Sequence, residues 1–249
     1  LPFGAFEVAD SYTFEQRAEL LPLYRSRQFH MPDLHVFVKN IDEAKKWFME
    51  IHEKIFAEMD KVGKNYGLLI NLTSREFYEE NKKWILDLLK IKNQPALLSF
   101  YPKGKNYYWL LNIEYNIIDK LSRVREIGTV QIDVGNAERF GIKYTDEDGK
   151  EKYPIILHTA IIGSITRYLY AVLDKALEEK VVELPLWLSP TQVRLIPVSE
   201  QFTKLSEKLA GEFEKNQIRV DIDDRSKTVG HKIRDAELDL VPYIIVLGE

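Results

Sequence analysis

Runs of apolar and polar positions divide the chain into segments of clear period. From Phe3 to Phe14, and again from Phe29 to Val38, β-branched and aromatic residues dominate, which predicts two strands joined by a polar, arginine-containing loop. Between Ile41 and Val62 the apolar residues Ala44, Phe48, Ile51, Ile55 and Met59 recur at three- and four-residue steps. That spacing predicts an amphipathic helix, and Gly63 supplies its stop. A short strand is expected from Tyr66 to Leu72, then a helix from Ser74 to Lys90 behind the cap-like pair Thr73-Ser74, then a strand from Ala96 to Tyr101.

From Tyr107 to Leu157 the pattern is sheet. It comprises Tyr108 to Tyr115, Thr129 to Val134, and a hairpin turning at Asp146 to Gly149, antiparallel by their short connections. A helix begins near Gly163-Ser164 and carries Ile165, Leu169, Val172 and Ala176 on one face. Two prolines within Glu183 to Pro190 mark a boundary. Beyond it strands and helices alternate: strand Gln192 to Pro197, helix Gln201 to Lys215, strand Arg219 to Ile222, helix Thr228 to Asp239, strand Tyr243 to Leu247. Such alternation implies parallel crossovers and a small α/β domain. Two domains are expected, residues 1–182 and 183–249.

Composition narrows the classes. At 249 residues with 45% hydrophobic content the chain can bury a core in each of two domains. A formal charge of -4 excludes a uniformly basic surface, so contact with nucleic acid has to come from local clusters. There is no cysteine, hence no disulfide and no complete cysteine-based zinc site within these residues. No apolar run reaches the roughly 20 residues of a membrane span, so a soluble, cytoplasmic protein with no membrane partner is expected. The leading Leu1 and the final strand read as cut ends of something longer.

The segments Gly128 to Val134, Glu138-Arg-Phe140, Tyr144 to Gly149, Ile156-Leu-His158 and Gly163 to Arg167 follow one another as in threonyl-tRNA synthetases, and the chain resembles the archaeal type of that family. Leu23 to Phe29 with Asp33-Leu-His35 resembles the return half of the class II motif 2, and Asp223-Asp-Arg225 through Arg234 resembles the family's anticodon-binding domain. The resemblance implies an α+β fold: part of an antiparallel class II catalytic domain, beginning inside motif 2, followed by a small α/β anticodon-binding domain. It implies activation of threonine with ATP and Mg, transfer to tRNA(Thr), and a homodimer in the full-length protein.

It also assigns residues. Arg167 and Arg25 are matched to the nucleotide, Gln131 to nucleotide and substrate, and Asp33 to the threonine hydroxyl. His35 and His158 match two zinc ligands, whose cysteine partner would lie upstream of Leu1. Arg225, Lys227, Lys232 and Arg234 are matched to tRNA, although the stretch from Pro190 onward holds nine Lys and Arg against eleven Asp and Glu. From spacing alone, Arg167 also reads as a surface ion-pair residue, either histidine as a hydrogen-bonded strand residue, and the basic residues as solvated charge. Two positions depart from the family pattern. Thr13 stands where class II enzymes carry the motif 2 arginine, and Thr166 replaces the acidic residue before the motif 3 arginine. Hence a second expectation, a non-catalytic paralogue that binds tRNA(Thr) and supports proofreading.

Overall fold

The computed structural model describes residues 1–102 and 107–249, which form two compact units, Leu1–Ala171 and Val172–Glu249. In the first, β1 (Phe3–Tyr12), β2 (Gln28–Val38), β3 (Tyr66–Leu72), β4 (Ala96–Phe100), β5 (Trp109–Ile118), β6 (Val124–Asp133) and β9 (Ile155–Ala160) build a seven-stranded sheet in the order β1-β2-β9-β6-β5-β3-β4. The two-residue strands β7 (Tyr144–Thr145) and β8 (Glu151–Lys152) close a separate hairpin around Gly149. Every pair in the large sheet is antiparallel except β3 with β4. That pair is parallel because α2 (Arg75–Lys90) carries the chain back between them.

Helix α1 (Ile41–Val62) packs across β2, β6 and β9. Asn40 accepts hydrogen bonds from the backbone N–H groups of Asp42 and Glu43 at its start, and Gly63 closes it at a φ of 73°. Its inward stripe, from Ala44 through Phe48, Ile51, Ile55 and Met59, is buried, as are Val130 and Ile132 of β6 and Ile113 and Tyr115 of β5. His52 lies in that stripe with no exposure; its Nε2 donates to the Leu88 carbonyl and its Nδ1 meets the Tyr115 hydroxyl. A four-residue helix, α3 (Asn136–Arg139), follows β6 and was not expected from periodicity. Helix α4 (Ile165–Ala176) begins just past the glycine predicted to start it.

In the second unit β10 (Val193–Pro197), β11 (Val220–Ile222) and β12 (Tyr243–Leu247) form a parallel sheet in the order β11-β10-β12. Helix α5 (Thr203–Lys215) packs on β10 and β11, and α6 (Val229–Leu238) on β10 and β12. Val193, Leu195 and Ala210 centre this smaller core. The proline-containing segment ahead of it is pinned by Arg219, whose guanidinium donates to the carbonyls of Ser189 and Trp187 at 2.9 Å each. Among the described residues no helix is long and apolar enough to cross a membrane.

Candidate active site

Strand register assembles the first half of the site. His35 pairs with His158, His158 with Gln131, Gln131 with Asn112, and Asn112 with Asn71, so one row of polar residues crosses β2, β9, β6, β5 and β3. Directly paired residues project to the same side of a sheet, which puts the whole row on one face. The two imidazoles meet edge to face at 4.7 Å between centroids. His158 Nε2 lies 2.7 Å from Asp133 Oδ2. Asp133 is enclosed and also accepts from the backbone N–H groups of Gly135 and Asn136. Burial alone would raise its pKa, but the bonds from His158 and these N–H groups outweigh it and hold the carboxyl below its ordinary value. An ionised carboxylate only accepts, so Nε2 of His158 donates this bond and Nδ1 is directed away from Asp133.

His35 Nε2 stands 3.9 Å from Asp33 Oδ2, one alternation back on β2. Gln131 Oε1 accepts from the Tyr108 hydroxyl at 2.9 Å, and the Tyr108 ring sits 6.2 Å from His158. The paired histidines, one backed by a carboxylate, suit two ligands of a zinc site. Among the described residues no third metal-binding side chain groups with them.

The second half is a cleft where α4 begins. Gly163 has a φ of 65°, and a Cβ there would stand 2.1 Å from the Ile127 carbonyl oxygen, so the turn lies directly against β6. Ser164 Oγ accepts the Arg167 N–H at 3.2 Å, which leaves the positive end of α4 and the Arg167 guanidinium together at the cleft wall. Arg167 Nε donates to the Tyr24 carbonyl at 3.1 Å, the guanidinium lies 4.8 Å from the Tyr24 ring centre, and Glu126 Oε2 is 3.9 Å away. Burial raises the Glu126 pKa, with Arg167 opposing.

Across the cleft Arg25 Nε pairs with Glu15 at 2.7 Å, and Arg27 Nε donates to the Glu15 carbonyl at 3.0 Å. Thr13 also lines the cleft, but its hydroxyl donates to the Ser26 carbonyl at 3.2 Å and so brings no charge. Thr166 Oγ1 rests 3.3 Å from Ser164 Oγ. The structure therefore brings Arg25 and Arg167 to one cleft and places Asp33, His35, His158 and Gln131 on one sheet face. Tyr108, Asn112, Asn71 and Glu126 are the neighbours that the sequence reading missed.

In the second unit the expected tRNA-binding residues separate. Arg225 is bonded to Asp223 and to Asp235, the latter at 2.8 Å, and Lys227 reaches Asp235 at 3.5 Å. Arg234 is exposed. Lys232 departs from the expected surface cluster: it is 4% exposed, on the inward side of α6 with Ala236, and its ammonium points to the Pro197 carbonyl at 3.4 Å.

Comparison with known proteins agrees with both units. Residues 1–176 match the tRNA synthetase class II core domain (G, H, P, S and T), and residues 192–249 match the anticodon binding domain. Over its full length the chain is 53% identical to the threonine–tRNA ligase of Thermofilum pendens and 54% identical to that of Nanoarchaeum equitans, spanning 41% and 39% of those proteins. Its fold is similar to the RNA binding domain of threonyl-tRNA synthetase from Cryptosporidium parvum, with a TM-score of 0.81 at 24% identity over all of this chain and 62% of that one. A putative threonyl-tRNA synthetase from Aeropyrum pernix gives 0.70 at 21% over 99% of this chain and 59% of that one. With the polar row and the arginine cleft in the first unit and a parallel α/β sheet in the second, the chain belongs to the class II tRNA synthetase core family and carries an anticodon-binding domain behind that core.

Proposed function

We propose that this chain provides the amino-acid and nucleotide site, and the anticodon-binding part, of a threonine–tRNA ligase, which activates threonine with ATP and Mg and passes it to tRNA(Thr). The observation that carries this reading is the register that sets His35 beside His158 with Asp33 and Gln131 on the same face. Asp33 accepts the threonine hydroxyl, and Gln131, held by Tyr108, orients the substrate. Two histidines would hold a zinc ion, His35 and His158, and as a Lewis acid it would bind the substrate's amine and hydroxyl. A site built to bind a hydroxyl rejects valine far better than an apolar pocket does. Asp133 fixes the His158 ring so that Nδ1 faces away from the carboxylate.

Arg25, Arg167 and the start of α4 hold the phosphates, where charge develops as the adenylate forms. The intact protein works as a cytoplasmic homodimer on this reading. The neutral Thr13 favours the second reading, a paralogue that binds tRNA(Thr) without activating threonine, since one charge donor of this kind typically supplies roughly a hundred- to a thousand-fold in rate. Threonine-dependent ATP–pyrophosphate exchange by the intact protein separates the two. Robust exchange is expected; no exchange with tRNA binding intact would transfer the assignment to the paralogue.

A further inference from the structure

Beside the cleft, a carboxylate in the turn between β5 and β6 gathers an unusual number of donors. Asp119 has an enclosed side chain; its Oδ1 accepts the backbone N–H groups of Leu121 and Arg123, an arrangement that suffices to shape the turn. Its Oδ2 takes three further donors: Arg123 Nε at 2.9 Å, Arg125 Nε at 3.0 Å and the Tyr170 hydroxyl at 2.8 Å. Burial alone would raise the Asp119 pKa, but these hydrogen bonds hold it well below the carboxylate range, so the group is a fixed anion.

What Oδ2 anchors is aimed at Tyr24. The Arg125 guanidinium lies 4.8 Å from the Tyr24 ring centre, the same distance as Arg167, and the Tyr170 ring lies 5.4 Å from it. The Tyr24 carbonyl in turn receives Arg167 Nε. Two guanidinium groups on one ring would repel each other, and the charge of Asp119 compensates one while Glu126 attends the other.

We infer that Asp119 is a positioning residue for Arg167, acting through Arg125 and Tyr24 to hold the arginine at the cleft. The chain of contacts runs from a rigid turn to a planar cation, to an aromatic ring, to the guanidinium that meets the nucleotide; this rests on the nucleotide role proposed for Arg167. Asp119→Asn keeps the shape and the turn but places an amide N–H₂ or a weaker acceptor where three donors converge. Arg125→Lys keeps the charge and loses the planar fork that bonds Asp119 and covers Tyr24 together.

The test is calorimetric titration of the intact protein with MgATP, and separately with threonine, for wild type and both variants. A displaced Arg167 should weaken MgATP binding about tenfold in each variant, the scale of one stacked cation, and leave threonine affinity within about twofold. A merely structural role would lower the unfolding midpoint and the active fraction without separating the two ligands. MgATP affinity unchanged in Arg125→Lys, equal losses for both ligands, or no MgATP binding by the wild type would each overturn the inference. Should Asp119→Asn fail to fold, Arg125→Lys decides alone. An intact protein that lacks threonine-dependent exchange yet loses MgATP affinity in the variants would remove the ligase reading and leave the positioning role standing.

Discussion

Replacing Gly163 by alanine tests how α4 is held against β6. A Cβ at this position would stand 2.1 Å from the Ile127 carbonyl oxygen and 3.0 Å from its carbon, both backbone atoms that cannot swing aside. Restoring ordinary contact requires the turn to move by more than about 1 Å, and overpacking of this kind costs about 1–3 kcal/mol. The left-handed φ of 65° adds roughly 1–2 kcal/mol for any residue with a Cβ. Together the loss should be about 2–5 kcal/mol. Gly149 serves as the internal control, because its φ of 76° is equally left-handed while nothing lies within 4 Å of its Cβ position. Gly149→Ala should therefore lose only the conformational part. Urea unfolding of the intact protein, followed by circular dichroism, measures both. If Gly163→Ala were no more destabilising than Gly149→Ala, the close approach of the α4 turn to β6 would be wrong.

Three further outcomes are expected. Burial holds the His52 pKa down to about 4, so the folded state resists a proton that the unfolded chain takes up from about 6.5 downward. Stability from this residue is full above that range and should fall by about 3 kcal/mol between pH 6.5 and 4; a pH-independent unfolding midpoint across that window would contradict it. Arg194 is bonded to Asp221 through Nε and Nη2 and to Asp239 through Nη1, so Arg194→Ala should destabilise the second unit by roughly 1–3 kcal/mol, allowing for the partly exposed carboxylates, readable by hydrogen exchange of β10 and β11. Charge reversal of Arg225 and Arg234 should weaken tRNA binding and flatten its salt dependence, whereas unchanged affinity at moderate salt would remove these residues from the interface.

Periodicity carried the sequence reading furthest where the information is local. The limits of α1 follow from its apolar stripe, its Asn40 cap and Gly63, all within a few residues of the helix. The parallel placement of β4 was not legible, because it depends on where α2 returns the chain relative to the sheet. The same limit applies at the site. The resemblance assigned His35 and His158, but their juxtaposition, and the continuation of the row through Asn112 to Asn71, is a matter of register between strands far apart in sequence. Helix α3 escaped because four residues show no period; its local signal was Asp133, whose carboxylate accepts the N–H groups of Gly135 and Asn136. Lys232 was misjudged as surface charge, although Ala236, one helical turn on, marks that side of α6 as the inward one.

The proposed activity meets its most direct test in aminoacylation. Incubating the intact protein with ATP, labelled threonine and tRNA(Thr) should yield threonyl-tRNA, and Arg167→Ala should lower that rate by at least about a hundredfold, as expected for loss of a charge donor to the reacting phosphate. No threonyl-tRNA from the wild type, or an Arg167→Ala variant as fast as the wild type, would contradict the assignment of this cleft.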